Sequence, residues 1–343
     1  MSSEPARGRA ANIFDVARLA GVSHQTVSRV INDMPNVRPT TRARVEQAIA
    51  QLQYSPSPAA RALVTRRTRT IGLVTPNISD YGPTSIAMAF NFAARAARYN
   101  VETVSAPPDD AKAIRSVVDG LLRQRVDAIM LVVTDVGVLD MVRSLDLSIP
   151  VVVAASTARR SPLIVSIDQY RGARSAVRHL AELGHTRILH IAGPKNAADA
   201  IERVRGWRDE LADQRLEIVP PVHGDWSAAS GHRLGSDLDV QPDMAVFVGN
   251  DQMSIGLLSA LRERGLRVPE DISVMGFDDI PEAGYLYPPL TTVRQDFGVF
   301  GELIMQKVLI AIEESAPLTE DTPLPTHLIL RQSTRAVAKD QQL

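Results

Sequence analysis

The polar residues His24, Gln25 and Arg29 stand at the start of, and one turn into, a segment of helical apolar spacing. A glutamine matches the major-groove edge of adenine and an arginine that of guanine, each through two hydrogen bonds. Ser23, Thr26, Ser28 and Asn32 are short polar groups of the kind that contact phosphates, which position a protein on DNA without reading sequence. Further along, Trp226 follows the turn-forming pair Gly224-Asp225. An indole offers the flat apolar surface that the C–H face of a pyranose requires, although a core aromatic anchoring a strand end has the same sequence signature. Asn250-Asp251 directly follows the apolar run Ala245–Gly249, and Asp278-Asp279 follows Ile272–Phe277. Both pairs therefore fall at the carboxyl ends of strands, where α/β folds bind ligands. Asp251 is alternatively a helix cap.

The same residues argue against catalysis. Asp109-Asp110 and Asp278-Asp279 are sequence neighbours on loops, whereas glycoside hydrolysis needs two carboxyl groups flanking the bond. His179, His185 and His190 lack zinc-ligand spacing, which leaves them solvated or capping roles. The chain has no nucleophile elbow, phosphate-binding loop or dinucleotide fingerprint. It has no cysteine, so disulfides and thiolate metal sites are excluded. No enzyme activity, metal or cofactor is expected.

The DNA-facing residues need a small helical scaffold, and the sequence supplies one. Ile13, Val16, Ala17 and Ala20 are helically spaced, Gly21-Val22 interrupts them, and Ser23 caps a second helix through Val30 and Ile31. Pro39 opens a third, with Val45, Ala48, Ile49 and Leu52 on one face. Ala17, Val27 and Val30 read as helix–helix core. Residues 1–69 hold eleven arginines against four carboxylates, a net charge of +7, and the other 274 residues carry −8. A basic head on an acidic body suggests a polyanionic partner for the head alone.

From Thr70 onward, β-branched runs alternate with helical stretches: Ile71–Thr75, Val101–Ser105, Ala128–Val133, Val151–Ala154, Ile164–Ile167, Ile188–Ile191, Val219–Val222, Ala245–Val248 and Ile272–Met275. Alternation implies parallel sheets with helices on both faces. So many units imply two lobes, with Leu290–Arg294, a helix over Phe297–Ile312 and a strand at Leu328–Leu330 re-crossing between them. Ligands of such folds bind between the lobes. The first ten residues are small and polar, and no run of 18 apolar residues occurs. We expect a cytoplasmic protein with no membrane contact.

The run Asp15-Val-Ala…Ala20-Gly-Val-Ser…Thr26-Val-Ser-Arg-Val…Asn32 resembles the head of the lactose-repressor (LacI/GalR) family. The resemblance extends over residues 11–331, strongest in Gly224–Gly231, Asn250–Met253 and Pro288–Phe297. It makes His24, Gln25 and Arg29 base readers of a near-palindromic double-stranded operator. It makes Ala60 and Leu63 part of a hinge helix that enters the minor groove, where a leucine wedge kinks the duplex; the alternative reading of Leu63 is a linker residue packing on the body. In the body it assigns Trp226 the stacking role, with Phe297, Pro83 and Ile86 on the apolar side, and Arg203, Asn250 and Asp278 the hydroxyl contacts. Arg203 is otherwise a helix-surface arginine, and Phe297 a residue that begins a helix. Asp199 stands where a related member has a ligand-proximal serine, and Asn77 and Asp80 add polarity. Ala155 replaces an aspartate, which removes one contact.

The expectations are a small all-α helix-turn-helix head and an α/β two-lobed body of periplasmic-binding-protein type. Residues 1–10 form an arm, 11–56 the DNA-binding domain and 57–69 the hinge helix and linker. Residues 70–334 form the body (N-lobe about 70–167 and 295–324, C-lobe about 168–294 and 325–334), and 335–343 a tail. The expected function is operator binding controlled by a small galactoside-like sugar, an inducer, with a corepressor as the alternative sign. The family's tetramerising C-terminal helix has no counterpart, which implies a homodimer. The competing reading, a periplasmic-type sugar-binding transport or chemosensory protein, needs a signal peptide and has no use for a basic head.

Overall fold

The computed structural model describes residues 11–31, 34–54, 67–78, 80–143, 147–157, 161–241, 243–314 and 317–337. The expectations for the arm, Asn32, Ala60, Leu63 and most of the tail fall outside these residues. The chain divides into two compact units, residues 1–68 and 69–343.

In the first unit, helix α1 (Ile13–Ala20) starts with a capping box: the Asn12 side chain accepts from the Asp15 N–H, and the Asp15 carboxylate accepts from the Asn12 N–H. Gly21 ends it at φ 64°, a left-handed conformation that glycine adopts without steric cost. Helix α2 (His24–Ile31) follows, started by Ser23, whose Oγ accepts from the Thr26 N–H at 3.2 Å. Helix α3 (Pro39–Gln51) has proline in its first turn, where the missing N–H costs nothing. Val16, Ala17, Ala20, Val27, Val30, Val45 and Ala48 close the core. Burial at every third or fourth position of α2 forces its other face outward.

The second unit opens with β1 (Thr70–Pro76), α4 (Tyr81–Ala96), β2 (Asn100–Ala106), α5 (Ala111–Arg123), β3 (Ala128–Val132), α6 (Val136–Arg143), β4 (Val151–Ala154) and β5 (Ile164–Val165). They form a parallel sheet of order β2-β1-β3-β4-β5. Next come α7 (Gln169–Glu182), β6 (Arg187–Ala192), α8 (Ala198–Asp213), β7 (Val222–His223), α9 (Ala228–Ser236), β8 (Met244–Val248), α10 (Asp251–Glu263) and β9 (Ser273–Met275). Their parallel sheet has the order β7-β6-β8-β9. Finally β10 (Thr292–Arg294), α11 (Phe297–Glu313) and β11 (His327–Ile329) thread between the lobes. Helix α11 buries Phe300, Ile304 and Val308 in the first lobe's core, while Val293 of β10 is buried in the second.

Two expectations need correcting. The strand read at Val219–Val222 lies at Val222–His223, because Pro220 and Pro221 have no N–H to give a ladder. His185 and His190 are buried rather than solvated. His185 bridges Ser273 Oγ and the Asp243 carbonyl, each at 2.9 Å, and His190 stacks on Phe247 with its pKa pushed down to about 3 by burial.

Helices α9 and α10 meet through glycines. A Cβ on Gly256 would lie 1.8 Å from the Ala228 carbonyl oxygen, and one on Gly231 2.1 Å from that of Met253. Backbone cannot yield as a side chain does, so Gly256→Ala should cost about 3 kcal/mol and lower Tm by several degrees. Gly120→Ala is the contrast: its Cβ meets only Arg123 at 3.8 Å. The gain in helix propensity there should raise stability by roughly 0.5–1 kcal/mol, read in the same thermal melts.

Candidate functional site

On the first unit, Ser23, His24, Gln25 and Arg29 are exposed, and Thr26 and Ser28 are half-buried. All six lie on α2 or at its cap, opposite the buried Val27 and Val30. The Ser23 and Thr26 hydroxyls bond each other at 3.0 Å, so both shape the helix start. The His24 ring rests against Phe14, centroids 5.2 Å apart. Gln25 and Arg29, four residues apart, share one helix face, the spacing needed to reach neighbouring base edges.

In the second unit a cavity of about 290 Å³ lies between the lobes. Of the residues expected to bind ligand, Pro83, Asp199, Arg203, Trp226, Asn250 and Asp278 line it. Ile86 and Phe297 line a smaller adjoining recess together with Ala155, Gln169 and Gln295. Phe297 is also a core residue, its ring edge-on to Tyr81 at 5.7 Å. Asn77 is exposed and outside the cavity, its N–H bound to the Ala106 carbonyl.

The floor of the cavity is a closed ring of side chains. Arg203, on α8, is only 3% exposed. Its Nε donates to Gln169 Oε1 at 2.9 Å, Gln169 Nε2 donates to Gln295 Oε1 at 2.7 Å, and Gln295 Nε2 donates to Asp278 Oδ1 at 2.7 Å. Arg203 Nη2 closes the ring on the same Oδ1 at 3.4 Å. Nη1 binds the Gly249 carbonyl, and the guanidinium lies over the Phe277 ring at 3.9 Å. Burial pushes the Asp278 carboxyl up to about 7, with Asp199 and Asp80 adding to the rise, against the lowering effect of Arg203 and Gln295. Its Oδ2 has no hydrogen-bond partner among the described residues. Gln169 and Gln295 had no signal beyond their position near strand ends.

The wall is Trp226. Its backbone is left-handed, φ 71°, and its indole occupies the space that a side chain on Gly193 would fill. Asn250 Nδ2 donates to the Trp226 carbonyl at 3.0 Å while Oδ1 caps α10 at the Met253 N–H. Asn250 therefore fixes the Trp226 backbone as well as lining the cavity. Asp251 is structural: its carboxylate accepts from Thr292 Oγ1 at 2.7 Å and the Ile280 N–H at 3.0 Å. Asp279 is held between Arg294 and Arg331, each at 2.6 Å. Consecutive positive φ angles at Asp278 (111°) and Asp279 (56°) turn these two carboxylates to different partners.

Across the rim, the Ala198 N–H donates to the Thr134 carbonyl at 2.8 Å, and Asn196 Nδ2 donates to Asp135 Oδ2 at 2.5 Å. Tyr81 packs on the cores of both lobes. No helix among the described residues is long and apolar enough to cross a membrane.

A model of the bacterial regulatory proteins of the lacI family matches residues 12–57, and one of periplasmic binding protein-like domains matches 177–334. The lactose operon repressor of Escherichia coli (strain K12) is 32% identical over 329 residues, 94% of this chain and 91% of that protein. The crystal structure of the lac repressor dimer bound to operator and the anti-inducer ONPF has a TM-score of 0.86 at 32% identity, covering 96% of this chain and all of that one. A complex of the transcriptional regulator CelR with cellobiose has a TM-score of 0.68 at 29% identity, covering 94% and 99%.

Burial pushes the Asp278 carboxyl up to about 7 in the folded chain, against an ordinary value of 3.8. Between those pH values the native state binds the proton and the unfolded state does not, so this group's contribution to stability falls as pH rises from about 4 to 7. Asp278→Asn keeps the acceptor and removes the titration. Its melting temperature should gain on the wild type between pH 5 and pH 8; a constant difference over that range would refute the shift.

Proposed function

The chain belongs to the lacI family of bacterial regulatory proteins, and from that premise we propose that it is a dimeric transcriptional repressor whose operator binding is switched by a small sugar. It acts by binding rather than by catalysis, in the cytoplasm where its DNA is. The observation that carries the sugar assignment is the cavity. Trp226 forms an apolar wall beside a floor whose Arg203–Asp278 pair offers a donor and a carboxylate oxygen side by side. Vicinal hydroxyls, which donate and accept in pairs, match that arrangement. A galactoside-like or related hexose-derived ring is the ligand we assign, with Trp226 as platform, Arg203, Asn250 and Asp278 toward the hydroxyls, Asp199 and Pro83 along the walls, and Ile86 and Phe297 in the apolar recess.

In the head, α2 enters the major groove with His24, Gln25 and Arg29 at base edges and Ser23, Thr26 and Ser28 toward phosphates; Asn32 has the same phosphate role by sequence. Two heads of a dimer read the halves of a near-palindromic site. The hinge over residues 57–69, with Ala60 and Leu63 toward the minor groove, transmits the state of the cavity. Sugar acts as inducer when it binds the released arrangement more tightly, since equal affinity for both shifts nothing.

Two measurements test this. Tryptophan fluorescence titrated with galactosides, glucosides and free hexoses should saturate with one sugar class, and Trp226→Phe should abolish the response while a melt shows the variant folded. No response to any sugar would remove the sugar assignment and leave DNA binding standing. Selection from random duplexes should return near-palindromic sites. Arg29→Ala should weaken binding to them by about 1–3 kcal/mol, roughly tenfold to a hundredfold, with non-specific binding nearly unchanged. Equal loss on all sequences would make Arg29 a phosphate contact.

A further inference from the structure

Among the described residues, the cavity between the lobes is lined by six aspartates, Asp80, Asp109, Asp135, Asp199, Asp225 and Asp278, and by a single basic side chain, Arg203. Arg203 cannot serve them all. Its three nitrogens are engaged by Gln169, the Gly249 carbonyl and Asp278, and its face by Phe277. Asp135 and Asp225 have local partners: Asp135 caps the Gly137 N–H at 2.7 Å, and Asp225 accepts from the Ser227 N–H at 3.0 Å. The side-chain carboxylates of Asp80, Asp109 and Asp199 make no hydrogen bond and no ion pair among the described residues. Asp278, 5% exposed, lines the same space, and its Oδ2 makes no hydrogen bond among the described residues.

A neutral sugar would leave this charge uncompensated. Hydroxyls can donate to carboxylates, but they bring no positive charge, and like charges in a half-enclosed cleft repel more strongly than in open water. The strain is visible in Asp80, whose carboxyl is raised by burial and by the nearby charge of Asp225. A metal ion is not the match, because no three of the described His, Asp and Glu side chains stand together as a metal would need. A protonated amine is: it has three donors, a compact positive charge and no need for converging ligands.

We infer that the effector carries a protonated amino group on its pyranose ring, so that Trp226 takes the ring while the unpartnered carboxylates of the lining, Asp80 and Asp199 foremost, draw the ammonium. This deepens the sugar assignment above and rests on it. The chemical class is a free hexosamine or a glycoside containing one, as distinct from neutral hexoses and from N-acetylated hexosamines, whose nitrogen is an uncharged amide.

The test is calorimetric titration of the full-length protein with galactose, glucose, galactosamine, glucosamine, N-acetylgalactosamine and N-acetylglucosamine. One hexosamine should bind at least tenfold more tightly than both its neutral and its N-acetylated counterpart. The preference should shrink to less than threefold in the double variant Asp80→Asn/Asp199→Asn. These two carboxylates have no partners to lose, so the double variant should melt no lower than the wild type, which separates lost recognition from lost folding. A neutral or N-acetylated sugar binding as tightly as the hexosamine would overturn the amine assignment and leave the sugar assignment intact. So would an amine preference that the double variant retains. No binding by any of the six sugars would overturn both.

Discussion

The buried guanidinium of Arg203 is the constraint from which the body's architecture follows. A charge taken out of water must be paired and its donors satisfied, or the chain does not tolerate it. Here the network draws on four separate places: Gln169 at the start of α7, Gly249 at the end of β8 and Asp278 beyond β9 bond the guanidinium directly, and Gln295 between β10 and α11 bonds Gln169 and Asp278. Two of those places are where the chain passes from one lobe to the other. The third passage is fastened beside them, with the Asp168 N–H on the Leu324 carbonyl and the Leu324 N–H on that of Ser166, both at 2.8 Å. The floor of the cavity and the hinge between the lobes are thus one hydrogen-bonded object. A ligand that re-partners Asp278 acts directly on the segments that join the lobes.

The wall follows a different logic. Trp226 is held by backbone as well as by packing. Gly193 leaves room for its indole, the left-handed φ at Trp226 aims it, and Asn250 secures its carbonyl. Positive φ at Trp226, Asp278 and Asp279 concentrates backbone strain around the cavity, as expected where geometry serves binding rather than stability. The strain is offset locally: Asp279 by two arginines, Asp278 by the ring, Trp226 by Asn250.

How much of this was legible in the sequence depended on range. The three head helices were legible because their caps, their glycine and their apolar spacing are all local. The alternating strands were legible for the same reason, and the one displaced strand fell where two prolines withdraw donors from an apolar run. Asn250 and Asp278 were found because a strand end is a local mark with a long-range meaning. Gln169 and Gln295 were not, since a glutamine carries no periodicity and the two are 126 residues apart. The roles of Asn250 and Asp251 were divided differently by the structure. The first residue of the pair caps the helix, and the second is drawn inward to Thr292, a partner that no sequence neighbour announces. The acid content of the cleft was half legible: Asp80 and Asp199 were noticed singly, and only the fold gathers them.

The lobes touch directly, through Thr134 and Ala198, Asp135 and Asn196, and through Tyr81, which packs on both cores. Those contacts set the energy of the arrangement described here, and an effector can shift the balance only by the difference between what it binds in this arrangement and in another. Moving an equilibrium from 1:99 to 99:1 requires a preference of about 5.5 kcal/mol. Stacking on Trp226 alone contributes little to such a preference, because the indole belongs to one lobe and accompanies the ligand in either arrangement. The discriminating contacts must span the cleft, and the unpaired carboxylates do: Asp80 stands at the start of α4 in one lobe, Asp199 at the start of α8 in the other. As the lobes approach, these charges repel, and a cation between them converts the repulsion into attraction. The same carboxylates that select the ligand are therefore the ones placed to make its binding depend on how the lobes are arranged.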